Sequence, residues 1–285
     1  MYKDSSTYII GEIGINHNGD MSIVERLIDI AACAGFNAVK FQKRNPDICV
    51  PEKQKSIIRE TPWGKMSYID YKYRMEFDKD QYDHISKYCK MKGIEWSASP
   101  WDLDSAEFLH DYNLPWVKIA SACITDLEIV RYCSITFDHI IISTGMSTQK
   151  QIDTAIENIL RYKSPNKITL LHCNSEYPAP VKDLNLNYIN TLKSRRKFKN
   201  INIGYSGHEY GLTSTISTVA MGAKCVERHI TLDKGMWGSD QSCSLEPHAM
   251  FKLVRGVREL ELALGSSNKI VSPGEIAKAK TLRNK

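Results

Sequence analysis

Two histidines close successive apolar segments late in the chain, at positions suited to a shared metal ion. His208 ends the segment 201–208, and His229 lies beside the end of the segment 225–230. Imidazoles from adjacent strand ends can hold one divalent metal, with water and substrate completing its coordination shell. Two histidines without a carboxylate are a weak metal signature. Glu227, with its side chain on the other face of the strand from the neighbours of Cys225, is a less obvious ligand. The residues alone leave a metal site and two ordinary polar histidines as equal alternatives.

Two lysines stand inside short apolar segments, where a lysine is seldom buried unless it has a partner. They are Lys40 and Lys118. Hydroxyl groups follow similar segments at Ser99, Ser121, Ser143 and Ser206. Ammonium and hydroxyl groups together suit a multiply charged anion, such as a phosphate beside a carboxylate. A Schiff-base lysine is the alternative, although such lysines are usually activated by desolvation and these would need an anion to offset their charges.

Glu12 is the one carboxylate placed centrally enough in this pattern to act as a general acid or base. It lies in the first apolar segment, YIIGEIGIN. The alternative is a structural ion pair with Lys40.

The elements that must position these groups are eight short apolar segments, each separated from the next by a helical pattern. They are 8–16, 38–43, 95–100, 116–121, 139–144, 168–174, 201–208 and 225–230. Strands alternating with helices predict βαβ units and a parallel sheet. Eight units in about 250 residues predict a closed TIM barrel, whose active site lies at the carboxyl ends of the strands. We therefore expect a single (β/α)₈ domain over residues 1–285.

Two segments depart from the regular repeat. The connection 44–76 is far longer than usual and rich in Tyr and charge, which favours a binding loop or lid over a peripheral helix at a subunit contact. The segment 266–285 reads as a polar tail. Helices are expected at the end of the long connection and at 102–112, 125–134, 148–162, 185–197, 211–222 and 246–264.

Composition excludes several classes of protein. The longest apolar segment is far short of a membrane span, and the first residues lack a signal-peptide pattern, so a cytoplasmic location is expected. The net charge of +5 is mild, and the basic stretch 193–199 reads as a solvated helix end rather than a nucleic-acid site. The eight cysteines include no C-x-x-C pair, which favours reduced thiols over a zinc ribbon.

The order and spacing of several motifs resemble the sialic acid synthase family over nearly all of residues 8–265. The motifs are EIGINHNG (12–19), VKFQ (39–42), KIAS (118–121), STGM (143–146), LLHCNSEYPAP (170–180), GYSGH (204–208), VERH (226–229) and GSDQSCSLEP (238–247). The resemblance implies a (β/α)₈ enzyme that condenses phosphoenolpyruvate with an open-chain sugar aldehyde. The expected products are a nine-carbon 3-deoxy-2-keto acid and phosphate, with Mn²⁺ or a similar ion such as Mg²⁺ as cofactor and a homodimer as the assembly.

The resemblance also implies roles for individual residues. Phosphoenolpyruvate would be held by Lys40, Ser99, Lys118, Ser121, Ser143, Ser175 and Ser206. The metal ligands would be His208 and His229, and the catalytic carboxylate would be Glu12. The sugar would contact Gln42, Tyr177 and Asp240.

Two departures from the family pattern concern the sugar acceptor. Cys123 stands where many members carry Glu or Asp, and the small antifreeze-like domain that lends an arginine to the partner subunit's site is expected to be absent. Basic and aromatic residues of the long connection are candidate substitutes, namely Lys65, Tyr68, Tyr71, Lys72 and Arg74. A phosphorylated acceptor such as mannose 6-phosphate therefore stands beside an N-acyl hexosamine. The remaining alternatives are an eight-carbon Kdo-type synthase, a Schiff-base aldolase and a non-catalytic scaffold.

Overall fold

Eight parallel strands form a nearly closed barrel in the computed structural model, which describes residues 6–283. Within that range the strands are β1 (Tyr8–Gly14), β2 (Ala38–Lys43), β3 (Ile58–Thr61), β4 (Gly64–Ser67), β5 (Glu95–Pro100), β6 (Val117–Ile119), β7 (Ile140–Ser143), β8 (Ile168–Cys173), β9 (Asn202–Gly207) and β10 (Cys225–His229). The sheet order is β5–β2–β1–β10–β9–β8–β7–β6. Ser97 Oγ donates to the carbonyl oxygen of Trp116 across the seam between β5 and β6. The predicted TIM barrel is confirmed.

Helices separate the barrel strands and cover the outer face of the sheet. They are α1 (Met21–Ala34), α2 (Pro46–Cys49), α3 (Glu52–Lys55), α4 (Tyr68–Met75), α5 (Lys79–Lys92), α6 (Leu103–His110), α7 (Leu127–Thr136), α8 (Gln149–Leu160), α9 (Tyr188–Ser194), α10 (Thr213–Ala220), α11 (Pro247–Leu264) and α12 (Pro273–Leu282). In α1, the Asp20 side chain accepts the Ser22 N–H and Gly35 ends the helix at φ 89°. The helix buries Val24, Leu27, Ile28, Ala31 and Ala34 at helical spacing.

The core has an inner and an outer layer, and the inner layer determines where a cavity can form. Inside the barrel, a small cluster fills the end where the strands begin. Its members are Tyr8, Ile10, Ala38, Trp116, Ile141, Leu171 and Cys225. Trp116 is fully buried, and its Nε1 donates to the Tyr8 hydroxyl at 3.0 Å. Because this end is packed with apolar side chains, open space is left only toward the carboxyl ends of the strands.

The connection 44–76 and the segment 266–285 are more ordered than the sequence suggested. The connection folds into α2, α3, the antiparallel β3–β4 hairpin and α4. Tyr71 and Met75 of α4 pack on Ile15, next to Trp63 and Met66 of the hairpin. Describing 266–285 as a polar tail overlooked α12, whose capping box joins Ser272 and Glu275. Residues 1–5 and 284–285, which include part of the expected domain and tail, lie outside the described range.

Two expectations from composition concern the described part of the chain. None of the helices found in residues 6–283 has the length and apolar character that crossing a membrane requires. All eight cysteines lie in this range, and none of them is part of a disulfide bond.

A buried ion pair behind the barrel holds the segment that follows β9. Arg228 and Glu209 side chains are both fully buried, with Nη1 3.3 Å from Oε1. Arg228 Nη2 also donates to the Glu209 carbonyl oxygen at 2.6 Å, and Nη1 donates to the Gly211 carbonyl oxygen at 2.9 Å. These bonds fix the backbone next to His208.

We expect Arg228→Met to lower the free energy of unfolding by about 3–5 kcal/mol, because the change leaves the Glu209 carboxylate buried without a countercharge. Urea denaturation of the variant measures the effect. Arg255→Met is the matched control, since Arg255 forms an exposed pair with Glu259 and should change stability by less than about 0.5 kcal/mol. A loss below about 1 kcal/mol for the Arg228 variant would contradict this account of the pair.

Candidate active site

A cavity of about 190 Å³ opens at the carboxyl ends of the barrel strands. Twelve of the thirteen predicted site residues line it, and Asp240 stands behind His229. The twelve are Glu12, Lys40, Gln42, Ser99, Lys118, Ser121, Ser143, Ser175, Tyr177, Ser206, His208 and His229. The lining also includes residues that the sequence interpretation did not select, namely Trp101, Ala120, Ala122, Met146, Cys173 and Glu227.

On one side of the cavity, β1 and β2 place Glu12 against Lys40. Glu12 and Lys40 are paired in the parallel register, and Lys40 Nζ lies 2.7 Å from Glu12 Oε2. Lys40 Nζ also donates to Ser99 Oγ at 3.0 Å. Gln42 Nε2 donates to Glu12 Oε1 at 2.8 Å. The ion pair that the sequence left as an alternative is present, and it lies inside the cavity.

On the other side, Lys118 pairs with Glu227. Lys118 Nζ lies 2.8 and 2.9 Å from the two carboxylate oxygens of Glu227, and Ser206 Oγ donates to Oε1 at 3.1 Å. Glu227, interpreted from the sequence only as a less obvious metal ligand, is thus part of the cavity lining. Side chains alternate along a strand, so Glu227 shares its face with Cys225 and His229, two residues away on either side.

The two carboxylates have opposite titration behaviour. Burial raises the pKa of Glu12 above its usual range, the charge of Glu227 adds to this, and Lys40 only partly opposes it. Burial also acts to raise the pKa of Glu227, but Lys118 and Lys40 outweigh it and hold that pKa at about 2. Paired carboxyls whose pKa values are pushed apart divide the roles of proton carrier and fixed charge. Glu12 is thus suited to exchange a proton, and Glu227 to remain an anion.

Hydroxyls at the ends of β6, β7 and β8 form a close cradle around Gly145. Ser121 Oγ accepts the Gly145 N–H at 3.0 Å, which leaves its own proton free to donate. Ser143 Oγ is buried without a hydrogen-bond partner in the described structure. A Cβ atom on Gly145 would lie 2.0 Å from Ser175 Oγ and 2.9 Å from Ser121 Oγ. These donors converge on a space that suits the oxygens of a phosphate group.

We expect Gly145→Ala to raise the Michaelis constant for a phosphate-bearing substrate about tenfold or more, because the new methyl displaces Ser175 and Ser121. Steady-state kinetics with that substrate measures the change. Gly274→Ala is the control, since its nearest atom would be Ser272 Oγ at 4.0 Å. An unchanged Michaelis constant in a folded Gly145 variant would exclude the cradle as the phosphate site.

His208 and His229 face each other across the cavity, with ring centroids 5.4 Å apart. His208 Nδ1 lies 2.6 Å from the Asn174 carbonyl oxygen, so it carries the proton and leaves the Nε2 lone pair free. Burial lowers the pKa of His229 to about 3, which keeps this imidazole neutral. Its Nδ1 is buried without a hydrogen-bond partner, and Asp240 Oδ2 lies 3.8 Å away. The Tyr177 ring packs 4.1 Å from the His208 ring.

This donor set fits a divalent metal ion with an open coordination shell. Imidazole nitrogens with free lone pairs are suitable ligands, and the Asn174 carbonyl orients the ring of His208. In residues 6–283, no three His, Cys, Asp or Glu side chains are grouped so as to hold a metal. The protein would therefore supply two ligands, leaving the remaining positions to water and substrate.

Two cysteines near the site differ in position. Cys173 lines the cavity, and its Sγ lies 3.8 Å from His208 Nδ1. It ends β8, which was the signal that could have identified it. Cys123 belongs to the hydrophobic core and is absent from the cavity lining. Burial raises its pKa to about 12, so this thiol does not substitute for a carboxylate.

Comparisons with known proteins agree with this geometry. The model of the NeuB family matches residues 27–269. N-acetylneuraminate-9-phosphate synthase of Homo sapiens is 38% identical over 95% of this chain and 74% of its own length. N,N'-diacetyllegionaminic acid synthase of Campylobacter jejuni is 35% identical over 94% of this chain and 80% of its own.

A solved structure shows the same fold over almost the whole chain. The N-acetylneuraminic acid synthetase of Leptospira borgpetersenii, crystallised with citrate, superposes with a TM-score of 0.84. It is 31% identical and covers 98% of this chain and 93% of its own. The family resemblance drawn from the motifs is confirmed: this chain belongs to the NeuB family and is an enzyme of that family.

Proposed function

We propose that this enzyme condenses phosphoenolpyruvate with an open-chain sugar aldehyde to form a nine-carbon 3-deoxy-2-keto acid and phosphate. The observation that carries the proposal is one cavity in which two Lys–Glu pairs and a hydroxyl cradle face two histidines. Two relatives bear the names N-acetylneuraminate-9-phosphate synthase and N,N'-diacetyllegionaminic acid synthase, and these names support the same chemistry.

Phosphoenolpyruvate would lie with its phosphate in the cradle of Ser121, Ser143 and Ser175. Lys40 and Lys118 would bind its anionic groups, with Ser99 and Ser206 beside them. Both ammonium groups are buried and already held in place by a glutamate, so little side-chain entropy is lost on binding. This arrangement fixes carbon 3 of the enol phosphate against the aldehyde carbon, a proximity effect worth several kcal/mol.

Proton transfer falls to Glu12 in this account. Carbon 3 of phosphoenolpyruvate forms a bond to the aldehyde carbon as its double bond to carbon 2 opens, and the aldehyde oxygen takes up the proton that Glu12 carries. The oxygen of a water molecule bonds to carbon 2 as Glu12 accepts the water's proton, and the resulting hemiketal phosphate then releases phosphate. A divalent metal on His208 and His229, Mn²⁺ or Mg²⁺, would polarise the aldehyde oxygen as a Lewis acid. The raised pKa of Glu12 suits a group that both releases and accepts a proton during the reaction.

The sugar would extend from the histidines toward Gln42, Tyr177 and Asp240 at the outer rim. Two acceptor classes are consistent with the relatives' names. An N-acyl hexosamine would give a sialic-type acid without phosphate. A phosphorylated sugar would give an N-acetylneuraminate-9-phosphate-type or Kdn-9-phosphate-type product. A homodimer and a cytoplasmic location stay predictions.

The test measures phosphate release from phosphoenolpyruvate across a panel of aldoses, with Mn²⁺, with Mg²⁺ and with chelator. The panel contains N-acetylmannosamine, mannose, their 6-phosphates and arabinose 5-phosphate. We expect release that depends on a six-carbon acceptor and on metal. Activity with arabinose 5-phosphate alone would instead indicate a Kdo-type synthase, and no release with any aldose would contradict the proposal.

A further inference from the structure

The outer rim of the cavity carries more positive charge than its own carboxylates neutralise. We use the term rim cluster for Arg44, Lys72 and the rings of Trp101, Tyr68 and Tyr71. Arg44 follows β2, and Lys72 belongs to α4, so the cluster joins the barrel to the folded connection 44–76. Lys72 was among the candidate acceptor contacts of the long connection, whereas Arg44 has no role in the reaction described above.

Arg44 is held against the cavity wall. Its guanidinium lies 4.1 Å from the centre of the Trp101 ring, and Nη2 donates to Gln42 Oε1. Both Trp101 and Gln42 line the cavity. Only 10% of the Arg44 side chain is exposed. A nearly buried guanidinium with a fixed orientation can accept an anionic group at little cost in entropy.

The charges around Arg44 do not balance. Glu76 is shared between two cations, with Arg44 Nη1 3.8 Å away and Lys43 Nζ 3.6 Å away. Lys72 Nζ stands 5.2 and 5.4 Å from the Tyr68 and Tyr71 ring centres, and no carboxylate in the described residues forms a salt bridge with it. Burial and the nearby charge of Arg44 lower the pKa of Lys72. Because Arg44 shares the Glu76 carboxylate with Lys43, and Lys72 has no salt bridge among the described residues, an added anion would meet uncompensated positive charge here.

The position of Arg44 matches the reach of an extended sugar. The Gln42 amide is hydrogen-bonded to both Glu12 and Arg44. The Glu12 carboxylate and the Arg44 guanidinium are therefore separated by one amide and two hydrogen bonds, roughly 7 Å in all. An open-chain hexose with its aldehyde in the cavity can present its far end at this distance.

We propose that Arg44 and Lys72 bind a phosphate monoester at the far end of the sugar acceptor. The planar guanidinium provides paired donors for phosphate oxygens, and the ammonium group adds a point charge. The inference rests on the proposed condensation reaction and names the acceptor class, a hexose phosphate, that the rim cluster selects.

The experiment compares each sugar with its own phosphate, so that the rest of the acceptor is constant. The measured quantity is the ratio of kcat/KM for mannose 6-phosphate to that for mannose, with the same ratio for the N-acetylmannosamine pair. We expect a wild-type ratio of about a hundred or more in one pair, and a fall of about tenfold or more in Arg44→Gln and in Lys72→Met. Lys53→Met, an exposed lysine in α3, should leave the ratio unchanged.

Two outcomes would overturn the inference. One is a wild-type ratio near or below one in both sugar pairs. The other is an equal loss with both members of each pair in the variants, which indicates a structural role for Arg44 and Lys72. Absence of acceptor-dependent phosphate release with every sugar would instead contradict the proposed reaction itself, so the two failures are distinguishable.

Discussion

Lys118→Met is expected to raise the Michaelis constant for phosphoenolpyruvate about a hundredfold, the equivalent of a lost charged hydrogen bond. The change removes the ammonium group from the cavity and also leaves the Glu227 carboxylate, 2.8 and 2.9 Å from it in the wild type, as a buried anion without its countercharge. That anion would repel the substrate. The free energy of unfolding should also fall by about 3–5 kcal/mol.

A double variant separates these two effects. Lys118→Met with Glu227→Gln removes the uncompensated charge, so most of the lost stability should return while the Michaelis constant stays high. Steady-state kinetics and urea denaturation of both variants provide the measurements. A wild-type Michaelis constant in the single variant, or borohydride trapping of pyruvate on Lys118 or Lys40, would contradict the anion-binding role and favour the aldolase alternative.

The second large effect is expected at the histidines. His208→Ala and His229→Ala should each lower kcat by about a thousandfold or more, because each removes one of only two protein ligands proposed for the metal. Metal content by elemental analysis and kcat across added Mn²⁺ and Mg²⁺ are the readouts. The barrel should stay folded, as judged by circular dichroism.

His110→Ala provides the control, because His110 ends α6 with an exposed side chain away from the cavity. It should keep wild-type metal content and turnover. Full activity of the wild-type enzyme after exhaustive chelation, with no metal bound, would show that the two histidines serve another purpose.

Residues at strand ends were the part of the site that the sequence could predict. In a closed parallel barrel the carboxyl ends of all strands meet on one face, so Lys40, Lys118 and His208 had to converge once the eight strands were recognised. Glu227 follows the same rule but was not among the predicted site residues. It lies two residues before His229, and counting from that histidine along β10 places it in the cavity.

The outer rim was less predictable for physical reasons. Strands β3 and β4 are four residues each, largely exposed, and lack the alternation that marks a half-buried strand. Arg44 directly follows a strand and reads in sequence as a solvated loop residue. Its burial depends on Trp101 and Glu76, which reach it only through the tertiary fold. Lys65, expected to face the sugar, instead pairs with Glu60 on the exposed hairpin.

The most direct test of the proposed condensation follows the oxygen atom that bridges carbon 2 and phosphorus in phosphoenolpyruvate. The enzyme is supplied with substrate carrying a heavy-oxygen label at that bridge, with an active acceptor from the panel, and both products are weighed by mass spectrometry. Water attack at carbon 2 predicts an unlabelled keto acid with the combined mass of acceptor and pyruvate, and the label in phosphate. Release of labelled pyruvate at the same rate with and without an acceptor would contradict the proposed condensation.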